Sequence, residues 1–117
     1  MTLHGQAIGG LVQGLGGAFL EHLVYDANGQ LLAGTLADYL IPTATDFPKI
    51  RENHRSPSNP LGVKGAGEGA IIPMGGLMAN AVANALTSLG AMPNQLPLSP
   101  ARVWHMSSAK QSTRGSG

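Results

Sequence analysis

One carboxylate stands among four glycines in 62-GVKGAGEGA-70 of the 117-residue chain. Glycines before a helix let the backbone pass close to a ligand and point free N–H groups at its oxygens, as in loops that hold phosphates or oxyanions. Glu68 beside such a loop has two interpretations. It either stabilises the positive end of the following helix, which is worth about 0.3–1 kcal/mol, or it acts as a general base in a cleft. The residue types alone favour the first interpretation.

A second polar pattern lies near the N-terminus. Gln6 and Gln13 are seven residues apart, so a helix places both on one face, together with Gly10 and Gly17. Each glycine inside a helix costs about 0.5–1 kcal/mol relative to alanine, unless the missing side chain admits a close neighbour. That neighbour is either another helix or a ligand.

Three helices are predicted to position these residues. Residues 5–23 carry apolar side chains at three- and four-residue spacing, opposite the two glutamines. Residues 70–89 keep this spacing without any charge, which indicates a helix buried on most sides. Glu68 precedes this helix, and Pro73 suits its first turn. A third helix should begin at 99-SPARVWHM-106, whose Ser-Pro step supplies an N-cap and a first helical residue.

Between the first two helices the sequence predicts extended structure, which makes the fold class α+β. The Asn-Gly step of 26-DANGQ-30 supplies the positive φ values that a tight β-hairpin turn needs. Residues 48–54 are consistent with a short edge strand. The tail, residues 107–117, is small, polar and predicted to be disordered, so that residues 1–106 form the structured part.

The composition indicates a piece of something larger. The length allows one domain at most, and charged residues make up 11% of the chain, against about 25% in ordinary soluble domains. So few charges leave little solvated surface, so we expect other protein to cover much of the chain, and self-association if it is made alone.

Several classes of function are disfavoured by composition. A net charge of +1 with only five aromatic residues argues against nucleic-acid binding. The absence of cysteine excludes disulfides and iron–sulfur ligation by this chain, and the scattered histidines argue against a zinc site. The sequence contains no uninterrupted run of about 20 apolar residues, so no membrane span is predicted. The N-terminus lacks the features of a signal peptide, so a cytoplasmic location is expected.

Residues 5–48 and 60–86 together resemble the C-terminal part of the molybdopterin-binding large subunit of the xanthine dehydrogenase family of molybdenum hydroxylases. Bacterial carbon-monoxide-dehydrogenase-like and aldehyde-oxidoreductase-like large subunits are the members that come nearest. Gln13 and Gly14 match a Gln-Gly-x-Gly motif of the family, and Glu68 matches the glutamate of a Gly-x-Gly-Glu motif. One departure is Ile8, where the family usually has a glutamate.

The resemblance implies roles for these residues. Glu68 would be the active-site base beside the molybdenum, which reverses the balance between its two interpretations. The resemblance implies molybdopterin, in its cytosine dinucleotide form, as the cofactor, and no protein side chain as a metal ligand. The residues implied to contact the cofactor are Gln6, Gln13, Gly14, Gly65, Ala66 and Gly67.

The implied activity is the oxidative hydroxylation of an aldehyde, an N-heterocycle or a similar substrate, with water as the oxygen source. The implied partners are the remainder of the large subunit and Fe–S and flavin (FAD) subunits or domains. Activity of this chain alone is not expected. The alternative is a non-catalytic, truncated module that self-associates or binds a partner chain.

Overall fold

The computed structural model describes residues 2–51 and 55–114. Their regular structure consists of helices α1 (Thr2–Phe19), α2 (Met74–Ala85) and α3 (Pro100–Arg114), with a 3-10 turn, Thr87–Leu89, after α2. Helices α1 and α2 pack against each other. The long connection between them holds the turn of the predicted hairpin and the glycine-rich loop.

Helix α1 ends earlier than residue 23, the end predicted from its apolar spacing. The main-chain N–H groups of Leu20 and Glu21 both donate to the carbonyl oxygen of Gly16, each at 2.8 Å. These bonds close the last turn, so the chain leaves the helix after Phe19.

Helix α2 is shorter than the predicted range 70–89. It begins at Met74, and after Ala85 the chain tightens into the 3-10 turn. The Thr87 hydroxyl bonds to the carbonyl oxygens of Ala83 and Asn84, at 3.1 and 2.8 Å, which competes with regular helical bonding. Gly90 then ends the turn with a φ of 63°, in the left-handed conformation that favours glycine.

Two glycines let α2 and the turn before it approach α1. A Cβ atom built on Gly10 would lie 2.9 Å from the Cβ of Ala70. One built on Gly14 would lie 2.5 Å from the Cγ and 2.6 Å from the Cβ of Met74. Met74 is only 2% exposed. At these two positions the close neighbour is therefore a segment of protein.

A second buried contact joins the far end of α1 to the segment before α3. The main-chain N–H of Leu98 donates to the carbonyl oxygen of Ala18 at 2.6 Å, and both residues are buried. Helix α3 begins as predicted. Ser99 accepts a bond from the N–H of Arg102 through its hydroxyl, at 3.4 Å, and Pro100 is the first helical residue.

The hairpin of the predicted α+β fold is not confirmed. The turn is present, with Gly29 at a φ of 80°, but Tyr25 and Leu31 form only an isolated antiparallel bridge, and the described residues contain no longer strand. The side chains around this turn are mostly exposed. A two-stranded pair with nothing packed on it is only marginally stable.

Two other boundaries differ from the sequence prediction or lie beyond it. Residues 48–51 form no strand, and residues 52–54 of the predicted edge strand lie outside the described residues. Helix α3 continues past residue 106 to Arg114, into the segment assigned to the tail. Residues 115–117 are also outside the described part, and the division of the chain at residue 106 stays a prediction.

A hydrogen bond joins the loop after the Asn-Gly turn to the end of α1. The Tyr39 hydroxyl donates to Oε2 of Glu21 at 2.5 Å. This bond, with some desolvation, raises the pKa of Tyr39 above its usual value, because ionisation would remove the donated proton. Thr35 donates to the neighbouring Asp38 at 2.8 Å. Glu21 and Asp38 therefore both serve as hydrogen-bond acceptors within the fold.

The described chain is extended and has a small core. Its radius of gyration is 18.4 Å, against about 13 Å for a compact domain of this length. Five apolar residues are buried, while Leu61, Ile72 and Met92 are 85%, 75% and 74% exposed. No described helix combines the length and apolar character needed to cross a membrane. The exposed apolar surface agrees with the expectation that other protein covers the chain.

We expect the chain to self-associate when it is expressed alone, because its exposed apolar side chains are then left in water. Size-exclusion chromatography with light scattering over a range of concentrations measures this. Co-expression with the remainder of a large subunit, the partner that the sequence resemblance implies, is the control and should replace self-association with a defined complex. A concentration-independent monomer would contradict the prediction.

Candidate functional site

The glycine-rich loop delivers Glu68 to the start of the turns that lead into α2. The carbonyl oxygen of Glu68 accepts bonds from the N–H groups of Ile71 and Ile72, at 3.0 and 3.2 Å. Its side chain is exposed, and no hydrogen bond from the described residues reaches its carboxylate. The backbone of Glu68 is therefore fixed while its carboxylate is left available.

A side chain of α1 reaches this loop. Nε2 of Gln6 donates to the carbonyl oxygen of Gly67 at 2.8 Å, across 61 residues of sequence. The bond brings the glutamine-bearing face of α1 to the residue that precedes Glu68. The bond thus connects α1 and the glycine-rich loop, the two segments that contain the candidate residues.

A polar cleft of about 380 Å³ lies between α1 and the loop. Four of the seven candidate residues line it: Gln6, Gln13, Gly67 and Glu68. Gln13 is exposed, and its side chain makes no hydrogen bond within the described residues. The cleft is thus lined by one acidic residue and two amide-bearing residues.

An apolar cleft of about 440 Å³ adjoins the polar one. Gln6 and Gly67 line both clefts, and Gly65 and Ala66 line the apolar one. Added Cβ atoms on Gly65 and Gly67 would meet nothing within 4 Å. This part of the loop therefore presents bare backbone to open space, which a ligand can approach closely.

Gly14 is the candidate residue that lies apart from both clefts. It is buried, and Met74 of α2 occupies the space beside it. Gly14 therefore lies where α1 and α2 contact each other. A cofactor contact for Gly14 stays a prediction.

The sequence reasoning missed four residues that line the polar cleft, namely Gly5, Gly9, Gly10 and Ile71. Gly5 and Gly9 line it, and a Cβ at either position would meet nothing within 4 Å. The spacing of Gly5 and Gly9 could have predicted this position, since Gly9 is one helical turn before Gln13 and Gly5 is one turn before Gly9. On this face of α1, Gly5 and Gly9 therefore face the cleft, Gly14 seats Met74, and Gly10 both lines the cleft and seats Ala70.

The donor set of the two clefts fits a flat, polar heterocycle with an attached phosphate chain. Amide side chains both donate and accept hydrogen bonds, as the edge of a pterin requires. Backbone without side chains allows close approach to phosphate oxygens. The combined volume is in the range of ligand pockets. Among the described residues, no group of three His, Cys, Asp or Glu is placed to hold a bare metal ion.

Comparison with protein families and curated sequences gives similarity over most of the chain. Residues 1–48 match the family model of a molybdopterin cofactor-binding domain. The 6-hydroxypseudooxynicotine dehydrogenase complex subunit gamma of Paenarthrobacter nicotinovorans is 38% identical over 108 residues, 89% of this chain and 14% of that protein. The carbon monoxide dehydrogenase large chain of Hydrogenophaga pseudoflava is 35% identical, over 89% of this chain and 13% of that protein.

A solved structure agrees with these sequences. Quinoline 2-oxidoreductase from Pseudomonas putida 86 superposes with a TM-score of 0.76 and 40% identity, over 90% of this chain and 14% of that one. The chain therefore spans 13–14% of the length of the relatives named here.

Proposed function

The chain belongs to the family of molybdenum hydroxylase large subunits, and on that premise we propose that it forms one wall of the active site, with Glu68 as the base. The observation that carries the proposal is the meeting of Gln6, Gln13, Gly67 and Glu68 at one cleft. The two glutamines are far in sequence from Gly67 and Glu68, so it is the folding of the chain that brings these four residues to one cleft.

Glu68 suits the role of a general base. Glu68 lines the polar cleft, and its exposed carboxylate is not engaged by a hydrogen bond from the described residues. The neighbouring glycines leave space around it for a reacting group. A positioned base of this kind contributes about 10²–10⁴-fold to a reaction rate. In the proposed reaction its carboxylate oxygen takes the proton that is released when water supplies the oxygen atom.

The cofactor would lie along the two clefts. Gln6 and Gln13 would bond to its polar edge, and the backbone at Gly65, Ala66 and Gly67 would approach its phosphate oxygens. When bound, the molybdenum cofactor supplies the two-electron oxidation chemistry that amino-acid side chains lack. A cofactor contact for Gly14 is also part of this proposal, although Gly14 lies apart from both clefts and seats Met74. The cytosine dinucleotide is the form that we propose.

The proposed substrates are aldehydes, N-heterocycles or similar molecules with an oxidisable carbon. One relative is a quinoline 2-oxidoreductase, and another is an aldehyde oxidoreductase molybdenum-binding subunit of Escherichia coli, 35% identical over 89 residues. The proposed partners are the remainder of the large subunit, which completes the pocket, and Fe–S and FAD-bearing subunits, which remove the electrons. A cytoplasmic setting is part of this proposal.

The proposal is tested by reconstituting the chain with the missing large-subunit region. Hydroxylation of an aldehyde or an N-heterocycle is then compared between the wild-type complex and Glu68→Gln. Loss of turnover in the variant supports the proposal, and unchanged turnover overturns the assignment of the base.

The second candidate is a non-catalytic module that self-associates or binds a partner chain. The extended shape and the exposed apolar side chains favour it. A module of this kind needs only its own copies or a partner surface. It is distinguished by a folded complex that gives no turnover with any of the proposed substrates.

A further inference from the structure

The glycine-rich loop has few side-chain contacts to hold it in one conformation. Cβ atoms added to Gly65, Gly67 and Gly69 would meet nothing within 4 Å. Glycine backbone is the most costly to order, so such a loop needs a tether if its carboxylate is to keep one direction. The hydrogen bond from Gln6 to Gly67 supplies such a tether, because it joins α1 to this loop.

This bond restrains the peptide unit between Gly67 and Glu68. The carbonyl group of Gly67 and the N–H of Glu68 belong to one planar peptide, so holding the carbonyl oxygen at 2.8 Å fixes the plane. On its other side, the carbonyl of Glu68 is held by the N–H groups of Ile71 and Ile72. Both peptides next to the Cα of Glu68 are thereby restrained, and together they set the direction of its Cα–Cβ bond.

We infer that Gln6 is a positioning residue for Glu68, an inference that rests on the proposed function. Its Nε2 group is used to hold the loop, because a carbonyl oxygen accepts only from a donor. Its Oε1 atom remains an acceptor for a donor on the cofactor. Gln6 thus links the cofactor to the base, and it lines both clefts as this role requires.

Gln13 offers a matched control. It lies two turns further along the same helix and lines the same polar cleft, but its side chain makes no bond to the loop. Methionine keeps the length of glutamine and removes its hydrogen-bonding groups. Gln6→Met should therefore free the loop, whereas Gln13→Met should not. Gln6 and Gln13 are both exposed, so neither substitution disturbs a buried contact.

The first readout is amide hydrogen exchange across residues 66–72, in the complex with the large-subunit remainder, prepared without cofactor. Gln6→Met should exchange about two- to twelvefold faster than wild type, the factor that corresponds to one net hydrogen bond. Gln13→Met should match wild type, and α2 should be unchanged in both variants. Equal exchange in Gln6→Met and wild type would overturn the inference, since a residue that only contacts the cofactor leaves the cofactor-free loop unchanged.

The second readout is steady-state kinetics of the cofactor-loaded complex. Gln6→Met should lower kcat by a similar factor with little change in KM, because a misdirected base affects the chemical step. A normal kcat in Gln6→Met, in an enzyme that Glu68→Gln inactivates, would overturn the positioning role alone. Full activity in Glu68→Gln would instead overturn the proposed function, and the exchange result would still report on the tether.

Discussion

Replacement of Glu68 by glutamine is expected to lower kcat of the reconstituted enzyme by about 10²–10⁴-fold, the usual contribution of a general base. The amide keeps the size and shape of the side chain but cannot take up a proton at neutral pH. Because Glu68 is exposed and lines a glycine-rich cleft, the substitution leaves packing unchanged. We therefore expect KM to change little.

The measurement is steady-state turnover per molybdenum, so that a loss of cofactor is not counted as a loss of catalysis. Glu21→Gln is the matched control. Glu21 lines neither of the two clefts, and an amide oxygen in its place still accepts the bond from Tyr39. This control should keep wild-type turnover. Equal turnover in both variants would remove Glu68 from the catalytic machinery.

Replacement of Gly14 by alanine is expected to destabilise the chain by about 0.5–2 kcal/mol, the cost of overpacking less the gain in helix propensity. The added methyl group would sit 2.5–2.6 Å from two side-chain atoms of Met74, which is buried against α1. Overpacking of this kind costs about 1–3 kcal/mol, and the better helix propensity of alanine offsets about 0.5–1 kcal/mol of it. The free energy of unfolding, from urea titration followed by circular dichroism at fixed protein concentration, measures the difference.

Gly17→Ala is the control for this prediction. Gly17 lies in the same helix, is exposed, and has nothing within 4 Å of an added Cβ. The same substitution there should stabilise by about 0.5–1 kcal/mol through helix propensity alone. If both variants changed stability in the same direction and by the same amount, the close approach of α2 to Gly14 would be contradicted.

The local parts of the fold follow from local sequence. The spacing of apolar residues predicts α1 and α2, and the Ser-Pro step predicts the start of α3. The same helical spacing places Gln6 and Gln13 on one face, and both line one cleft in the structure. These features depend on neighbours within a few turns, which the sequence displays directly.

What depends on distant neighbours is not visible in the sequence. Gly9 and Gly14 are both helical glycines, yet one faces the open cleft and the other seats Met74. The bond from Gln6 to Gly67 spans 61 residues, and no local pattern specifies it. The hairpin shows the converse case. Its turn forms as the Asn-Gly step predicts, but extended strands need packing partners that the described residues do not provide.

The most direct measurement is the molybdenum content of the complex between this chain and the rest of the large subunit, produced in cells that make the cofactor. Elemental mass spectrometry on the folded complex should give about one molybdenum per chain, as for an enzyme that holds one cofactor at one site. The large-subunit remainder without this chain should lose most of its molybdenum. A folded complex without molybdenum, or a remainder that keeps its full content alone, would contradict the assignment of this segment to the cofactor site.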